Sequence, residues 1–189
     1  MAFDFKNASK EARNQEYKKI ARLIGDDQFF TKKELNHLPE VLSEGEQVLA
    51  FSSGFMDGNT WLIVLTDERV IFLDKGMIYG LKQVSISLEK INSISGKTGI
   101  LLGEIAIEDG ASTRVIKNVQ KKVVVPFTNM VRNSINEKEN KNKPTVTSLN
   151  MRQFSDPVER IEKLSLMLSK GLITDAEFSE QRQRILNDI

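Results

Sequence analysis

The chain has one histidine and no cysteine, so little of the usual catalytic inventory is available. Without cysteine there is no thiolate nucleophile, no disulfide and no cysteine zinc cluster. His37 follows Asn36 near the end of a short helical stretch, where an imidazolium is favoured by the C-terminal dipole. No Ser-His-Asp relay or metal cluster can be assembled around it. Carboxylates stand side by side at Asp26-Asp27 and Asp67-Glu68, both in turn-like contexts. Neighbours in a solvated turn rarely frame a reacting atom with the geometry acid–base work needs. Gly96-Lys97-Thr98 has the ending of a phosphate loop, but that motif needs a glycine five residues ahead of Gly96, and Ile91 stands there. The segment also joins strand to strand rather than strand to helix. The sequence therefore predicts no catalytic residue, no cofactor and no metal ligand, and an enzyme is the least expected class.

Binding residues are the next candidates. Thr66 and Arg69 bracket a tight turn. Thr and Asp start turns through side-chain bonds to nearby backbone, and Arg69 can reach carbonyls of a neighbouring strand or pair with Asp67. A ligand contact by Arg69 is the alternative reading. Basic residues gather at Lys32-Lys33, at Lys121-Lys122 and at Lys138, Lys141 and Lys143. A solvated surface explains them, and weak attraction to nucleic acid or to an anionic membrane is the sharper alternative. The net charge of +1 excludes a strongly polyanion-seeking protein on bulk electrostatics. Few aromatic residues accompany these lysines, so no base-stacking platform is apparent.

The elements that would position these residues are legible in the periodicity. Residues 8 to 25 predict an exposed helix with Tyr17, Ile20 and Ile24 on one side. Thr31 to Leu38 predicts a second, with Thr31 as N-cap, Glu34 at the third position and Pro39 as the stop. From Gln47 the period becomes that of strands. Strands are expected near Val48–Phe51, Thr60–Leu65, Val70–Asp74, Ile78–Leu81 with Val84–Leu88, Ile91–Ile94, Ile100–Ile107 and Thr113–Val119. Turns are expected at Asp57-Gly58-Asn59, Lys75-Gly76, Gly96-Lys97-Thr98-Gly99 and Glu108-Asp109-Gly110. A helix should follow from Lys121 to Glu137, with Val124, Phe127, Val131 and Ile135 on its apolar side and Pro126 placed awkwardly. Residues 138 to 155, rich in Lys and Asn, predict a flexible linker.

The order of these segments carries a resemblance. Leu42 to Leu49, then Val64-Leu65-Thr66-Asp67-Glu68-Arg69-Val70-Ile71-Phe72, then Val84 to Ile94 and Gly99 to Ile105 resemble the bacterial pleckstrin-homology-like domains over about residues 31 to 137. The resemblance implies an α+β fold: a seven-stranded antiparallel barrel or sandwich capped by a C-terminal helix. It also implies a bacterial or phage source. Eukaryotic relatives that bind inositol phosphates converge Lys and Arg on the loop between the first two strands. Here that loop, Ser52 to Asn59, has neither and carries Asp57. An inositide site is therefore not expected, although Phe55 and Met56 offer an apolar tip for a partner or a membrane, or fold back onto the barrel.

The last residues form a separate pattern. Val158, Ile161, Leu164 and Leu168 recur at helical spacing, Gly171 interrupts, and Thr174 to Glu177 restarts with a capping box. Ile161 to Leu164, Leu168 to Thr174, Glu177-Phe178 and Ile185-Leu186 resemble the short C-terminal domain called SHOCT, over about residues 156 to 186. Two short helices bury too little to be stable alone. The domain plan is thus a helical segment at 1–40, a barrel at 41–137, a linker at 138–155 and a hairpin at 156–189.

Association is the expected role, carried by Leu164, Leu168, Leu172, Ile173, Phe178 and Ile185. Alanine at Leu168 or Phe178 should weaken assembly and leave the barrel folded. The expected protein is a non-catalytic adaptor or oligomerising scaffold. The alternatives are a peripheral membrane or lipid-sensing protein and a nucleic-acid-associated protein. Its partners would be copies of itself or another protein bound through barrel or hairpin. The N-terminus lacks the basic and then apolar segments of a secretory signal, and cytoplasmic residence is the default expectation.

Overall fold

The computed structural model describes residues 2–26, 31–76, 80–142, 157–170 and 172–187. The chain divides into two compact units, Met1–Glu139 and Asn140–Ile189. The first carries helices α1 (Lys10–Ile24) and α2 (Lys32–Val41), seven strands and all but the last turn of helix α3 (Lys121–Asn142). The strands are β1 (Val48–Met56), β2 (Asn59–Thr66), β3 (Arg69–Lys75), β4 (Leu81–Ser87), β5 (Ser93–Thr98), β6 (Leu102–Glu108) and β7 (Thr113–Gln120). The second unit is a hairpin of α4 (Pro157–Ser169) and α5 (Asp175–Asn187).

The strands form one antiparallel sheet in the order β4-β3-β2-β1-β7-β6-β5. It is two meanders, β1 to β4 and β5 to β7, joined through β1 and β7 at the Phe55–Lys117 pair. Buried on both faces, β2 and β3 read as continuous apolar runs, with Leu62 to Leu65 and Val70 to Leu73 fully inside. The β1–β2 connection is a two-residue turn, Asp57-Gly58, with both φ angles positive (50° and 81°). Such a turn matches the twist of the flanking strands. The fold is α+β, as the period change at Gln47 predicts.

α3 covers the sheet with Val123, Val124, Phe127 and Val131. Its close approach depends on two glycines. A methyl on Gly96 would lie 2.6 Å from Val124 Cγ1. On Gly103 it would lie 2.4 Å from the Lys97 carbonyl oxygen and 2.8 Å from Val124 Cγ2. Gly96 is thus needed for helix packing, not for cradling a phosphate. Because backbone cannot yield as a side-chain end can, Gly103→Ala is expected to cost about 1–3 kcal/mol, read as a lower urea midpoint.

Several sequence expectations are corrected. α1 is not a free-standing exposed helix: Tyr17, Ile20 and Ile24 are buried in the core. Phe5 stacks on Tyr17 at 5.7 Å between ring centroids, and Tyr17 meets Phe51 of β1 edge-on at 6.0 Å. Burial pushes the Tyr17 phenol well above its ordinary pKa. The N-terminal strap is pinned by a reciprocal amide pair: the Phe3 N–H donates to Gln47 Oε1 and Gln47 Nε2 donates to the Phe3 carbonyl, each at 3.0 Å.

Thr31 stands at the N-cap of α2 but makes no side-chain cap bond. Its hydroxyl bonds Ser53 Oγ at 2.6 Å instead. Glu34 accepts from the Lys75 N–H at 3.0 Å rather than reaching back to the cap. Tertiary partners outcompete the local motif at both residues. Pro39 does not stop α2, which runs on to Val41 with Pro39 buried inside it. Pro126 likewise lies within α3, which continues to Asn142. Gly96-Lys97-Thr98 belongs to β5, so the turn falls later and β6 begins at Leu102 rather than Ile100. Ile78, Asp27, Gly171 and positions 143–155 of the linker lie outside the described residues.

Candidate binding surface

Thr66 and Arg69 belong to a buried clasp whose third member, Glu46, was not singled out from sequence. Arg69 Nε donates to Glu46 Oε1 at 2.9 Å and Nη2 to Glu46 Oε2 at 2.8 Å, a two-point pairing. The same Nη2 donates to the Val41 carbonyl at 3.1 Å, at the end of α2. The Thr66 hydroxyl donates to Glu46 Oε1 at 2.8 Å and accepts the Arg69 N–H at 3.0 Å. Glu46 also receives the Ser43 N–H at 2.8 Å. Burial opposes the charge on Glu46, yet the bonds from Arg69, Ser43 and Thr66 together hold its carboxyl below the usual carboxylate range. Arg69 is thus committed to structure, tying α2 and the segment before β1 to the β2–β3 turn. The expected Asp67 partner bonds the Gln47 N–H instead, at 2.8 Å.

His37 is half-buried and pairs with Glu40 one turn on, at 3.1 Å. Among the described residues no group of three or more His, Asp or Glu is placed to hold a metal ion. Asp109 is used by its own turn, accepting the Ser112 N–H at 2.9 Å and pairing with Arg114 at 2.6 Å. The bond from Ser112 and the Arg114 guanidinium hold its carboxyl below the usual range.

The first meander and the second splay apart beside the Phe55–Lys117 pair. Gly54 lets them cross: a methyl there would lie 2.2 Å from Ile116 Cγ2. The splay leaves a shallow depression of about 300 Å³ lined by Ser53, Phe55, Thr60, Leu102, Asn118 and Gln120. Asn118 holds a positive φ of 56°, interrupting the regular ladder. Of the tip residues expected from sequence, Met56 folds back and is buried, whereas Phe55 is 41% exposed and lines this depression. An adjoining depression is lined by Leu101, Val125, Lys121 and Lys122. Exposed apolar side chains therefore cluster around the β5–β6 connection, flanked by lysines.

The hairpin brings together most of its predicted association residues. Leu164, Ile173 and Ile185 form its buried cluster, and Leu168 and Phe178 pack against it, partly covered. Leu172 stands apart at 62% exposure. The capping box is present: the Thr174 N–H donates to Glu177 Oε2 at 2.8 Å, and the Glu177 N–H to Thr174 Oγ1 at 3.3 Å. Two outward-facing apolar residues stand outside the predicted association set: Leu186, read from sequence only as part of the apolar side of the second helix, and Leu166, not singled out from sequence. Leu166 lies two residues from Leu164, about 200° around the helix, which was the available signal.

Comparison with known proteins places residues 42–133 in register with a family model described as a bacterial PH domain. That span runs from the end of α2 through the sheet and into α3. Seven antiparallel strands followed by the capping helix give this part of the chain the PH-like architecture. A solved pleckstrin homology domain from Shewanella amazonensis SB2B aligns at 18% identity, covering 55% of this chain and 96% of that one, with a TM-score of 0.43. A DUF1696 family protein with a pleckstrin-homology domain from Shewanella loihica PV-4 aligns at 19% identity, covering 55% and 94%, with a TM-score of 0.39. No curated protein matches the chain.

Proposed function

We propose that this chain is a non-catalytic adaptor, with the region matching the bacterial PH domain as its binding module and the C-terminal hairpin as its association module. The single observation that carries this reading is where the hairpin leaves apolar surface. Three side chains, Leu164, Ile173 and Ile185, are fully inside it. Val158, Leu166 and Leu186 on the two 13-residue helices, and Leu172 in the connection between them, are between 41% and 62% exposed. A unit this small does not stabilise itself well. Covering the outward residues with a second copy would both complete the hairpin and multiply weak sites on the barrel. Leu172 is the predicted association residue most available to a partner. Leu164, Ile173 and Ile185 act from inside, by shaping the hairpin. The hairpin's resemblance to SHOCT supports the same use.

Sedimentation velocity on the full chain and on a chain ending at Asn142 tests this. The full chain is expected to sediment as a multimer and the shorter one as a monomer. Multimers of both would move assembly to the first unit.

A further inference from the structure

The β5–β6 turn is built against the ordinary rules. The Gly99 N–H donates to the Leu102 carbonyl at 2.8 Å, which leaves Ile100 and Leu101 as the two central turn residues. Central turn positions favour Gly, Asn, Asp, Ser and Pro, for reasons of backbone geometry and local hydrogen bonding. Here they hold a β-branched and a branched aliphatic side chain, 91% and 81% exposed. Local rules are broken without structural gain mainly where function requires it. Neither side chain belongs to the buried core.

The surroundings are cationic. Lys97 and Lys117 line one flank of the turn with Gly99 and Leu102. Lys121 and Lys122 line the other with Leu101 and Val125. All four lysines are exposed. The acid lining the first flank is Glu104, half-buried and opposite Lys97 in the ladder. Two exposed aliphatic side chains therefore project from the turn, with four exposed lysines on its flanks.

We infer that the β5–β6 tip is a docking site for an anionic lipid surface, with Ile100 and Leu101 entering the interfacial region and Lys97, Lys117, Lys121 and Lys122 meeting headgroup charge. Two projecting aliphatic side chains flanked by lysines match the two features of an anionic bilayer surface, an apolar interior beneath a layer of negative headgroups. Long lysine stems can lie along apolar surface while their ammonium groups reach the headgroups. Each lysine close to an anionic leaflet strengthens binding about fivefold. The site is distinct from the β1–β2 turn, and recognition is of surface charge rather than of one headgroup. The inference does not rest on the hairpin reading, because a monomer carries the whole tip.

The test uses the full chain with vesicles of phosphatidylcholine alone or mixed with phosphatidylserine. Co-flotation is expected with the mixed vesicles, at least about tenfold above neutral ones, and should fall with added salt. Ile100→Asp with Leu101→Asp, and separately Lys121→Glu with Lys122→Glu, should each lower it by about tenfold or more while thermal melting stays unchanged. Leu101→Trp adds a reporter whose emission should shift to the blue on mixed vesicles. Trp61 is buried and bonded to the Met56 carbonyl at 2.9 Å, so it contributes a constant background. Flotation that ignores phosphatidylserine, or that survives both double substitutions, overturns the proposal. So does capture by soluble polyglutamate without any vesicle binding, which would assign the surface to an acidic protein.

Discussion

Arg69→Ala is expected to lower the unfolding free energy of the first unit by about 3–5 kcal/mol. The reason is what it leaves behind. Glu46 has a side chain with no solvent exposure, and without the guanidinium its charge is buried and unpaired. The Val41 carbonyl at the end of α2 also loses its donor. Glu46→Ala should cost less, because Arg69 is 21% exposed and can turn toward water. Replacing both by methionine should recover much of the loss, since a matched apolar pair avoids the desolvation of the ions. Urea midpoints at neutral pH read all three. A change within about 0.5 kcal/mol for Arg69→Ala would mean the clasp is not a stability element.

The pH dependence follows with a definite sign. The folded-state pKa of Glu46 lies below its ordinary value. Its contribution is therefore complete above the unfolded glutamate pKa, about 4.3, and is lost as pH falls through the folded value. The natural chain should lose stability below about pH 4 more steeply than Arg69→Ala, in which Glu46 has no guanidinium to hold its proton off. Parallel acid profiles for the two chains would contradict this.

The second large effect separates folding of the hairpin from its association. Leu164→Ala should remove about 2–5 kcal/mol from a unit whose fully buried cluster is Leu164, Ile173 and Ile185, and so melt α4 and α5 together. Helical circular dichroism and multimer mass should fall in the same sample. Leu166→Glu with Leu172→Glu touches neither the cluster nor the cap at Thr174. It should lower helicity less than Leu164→Ala does while weakening association by at least about a hundredfold, since two apolar contacts are replaced by charges that a paired face would have to desolvate. If this variant assembles like the natural chain, the outward residues are not the interface.

The limits of sequence reading lie at particular residues. Strands β2 and β3 were legible because their apolar runs are bounded by turn chemistry at Asp57-Gly58 and Thr66–Arg69. The capping box at Thr174 and Glu177 was legible because both partners are local. The box expected at Thr31 and Glu34 failed because Ser53 and Lys75, distant in sequence, claim the same atoms. Glu46 was invisible for a similar reason: its partner lies 23 residues away, across a strand pair. Ile100 and Leu101 fit a strand on sequence alone, because aliphatic pairs favour strands. No periodicity distinguishes a strand start from an apolar turn, and the cross-strand bond from Gly99 to Leu102 decides it. On the hairpin, helical spacing picks out the residues that α4 and α5 cover between them, because a two-helix unit needs its own cluster, and it also picks out Leu172, which is left exposed.

The adaptor account rests on self-association through the hairpin. Light scattering coupled to size exclusion, on the full chain across a concentration series, addresses it most directly. The account predicts a mass that is an integer multiple of 21.4 kDa and falls toward that value on dilution. A mass of one chain at every concentration would contradict it.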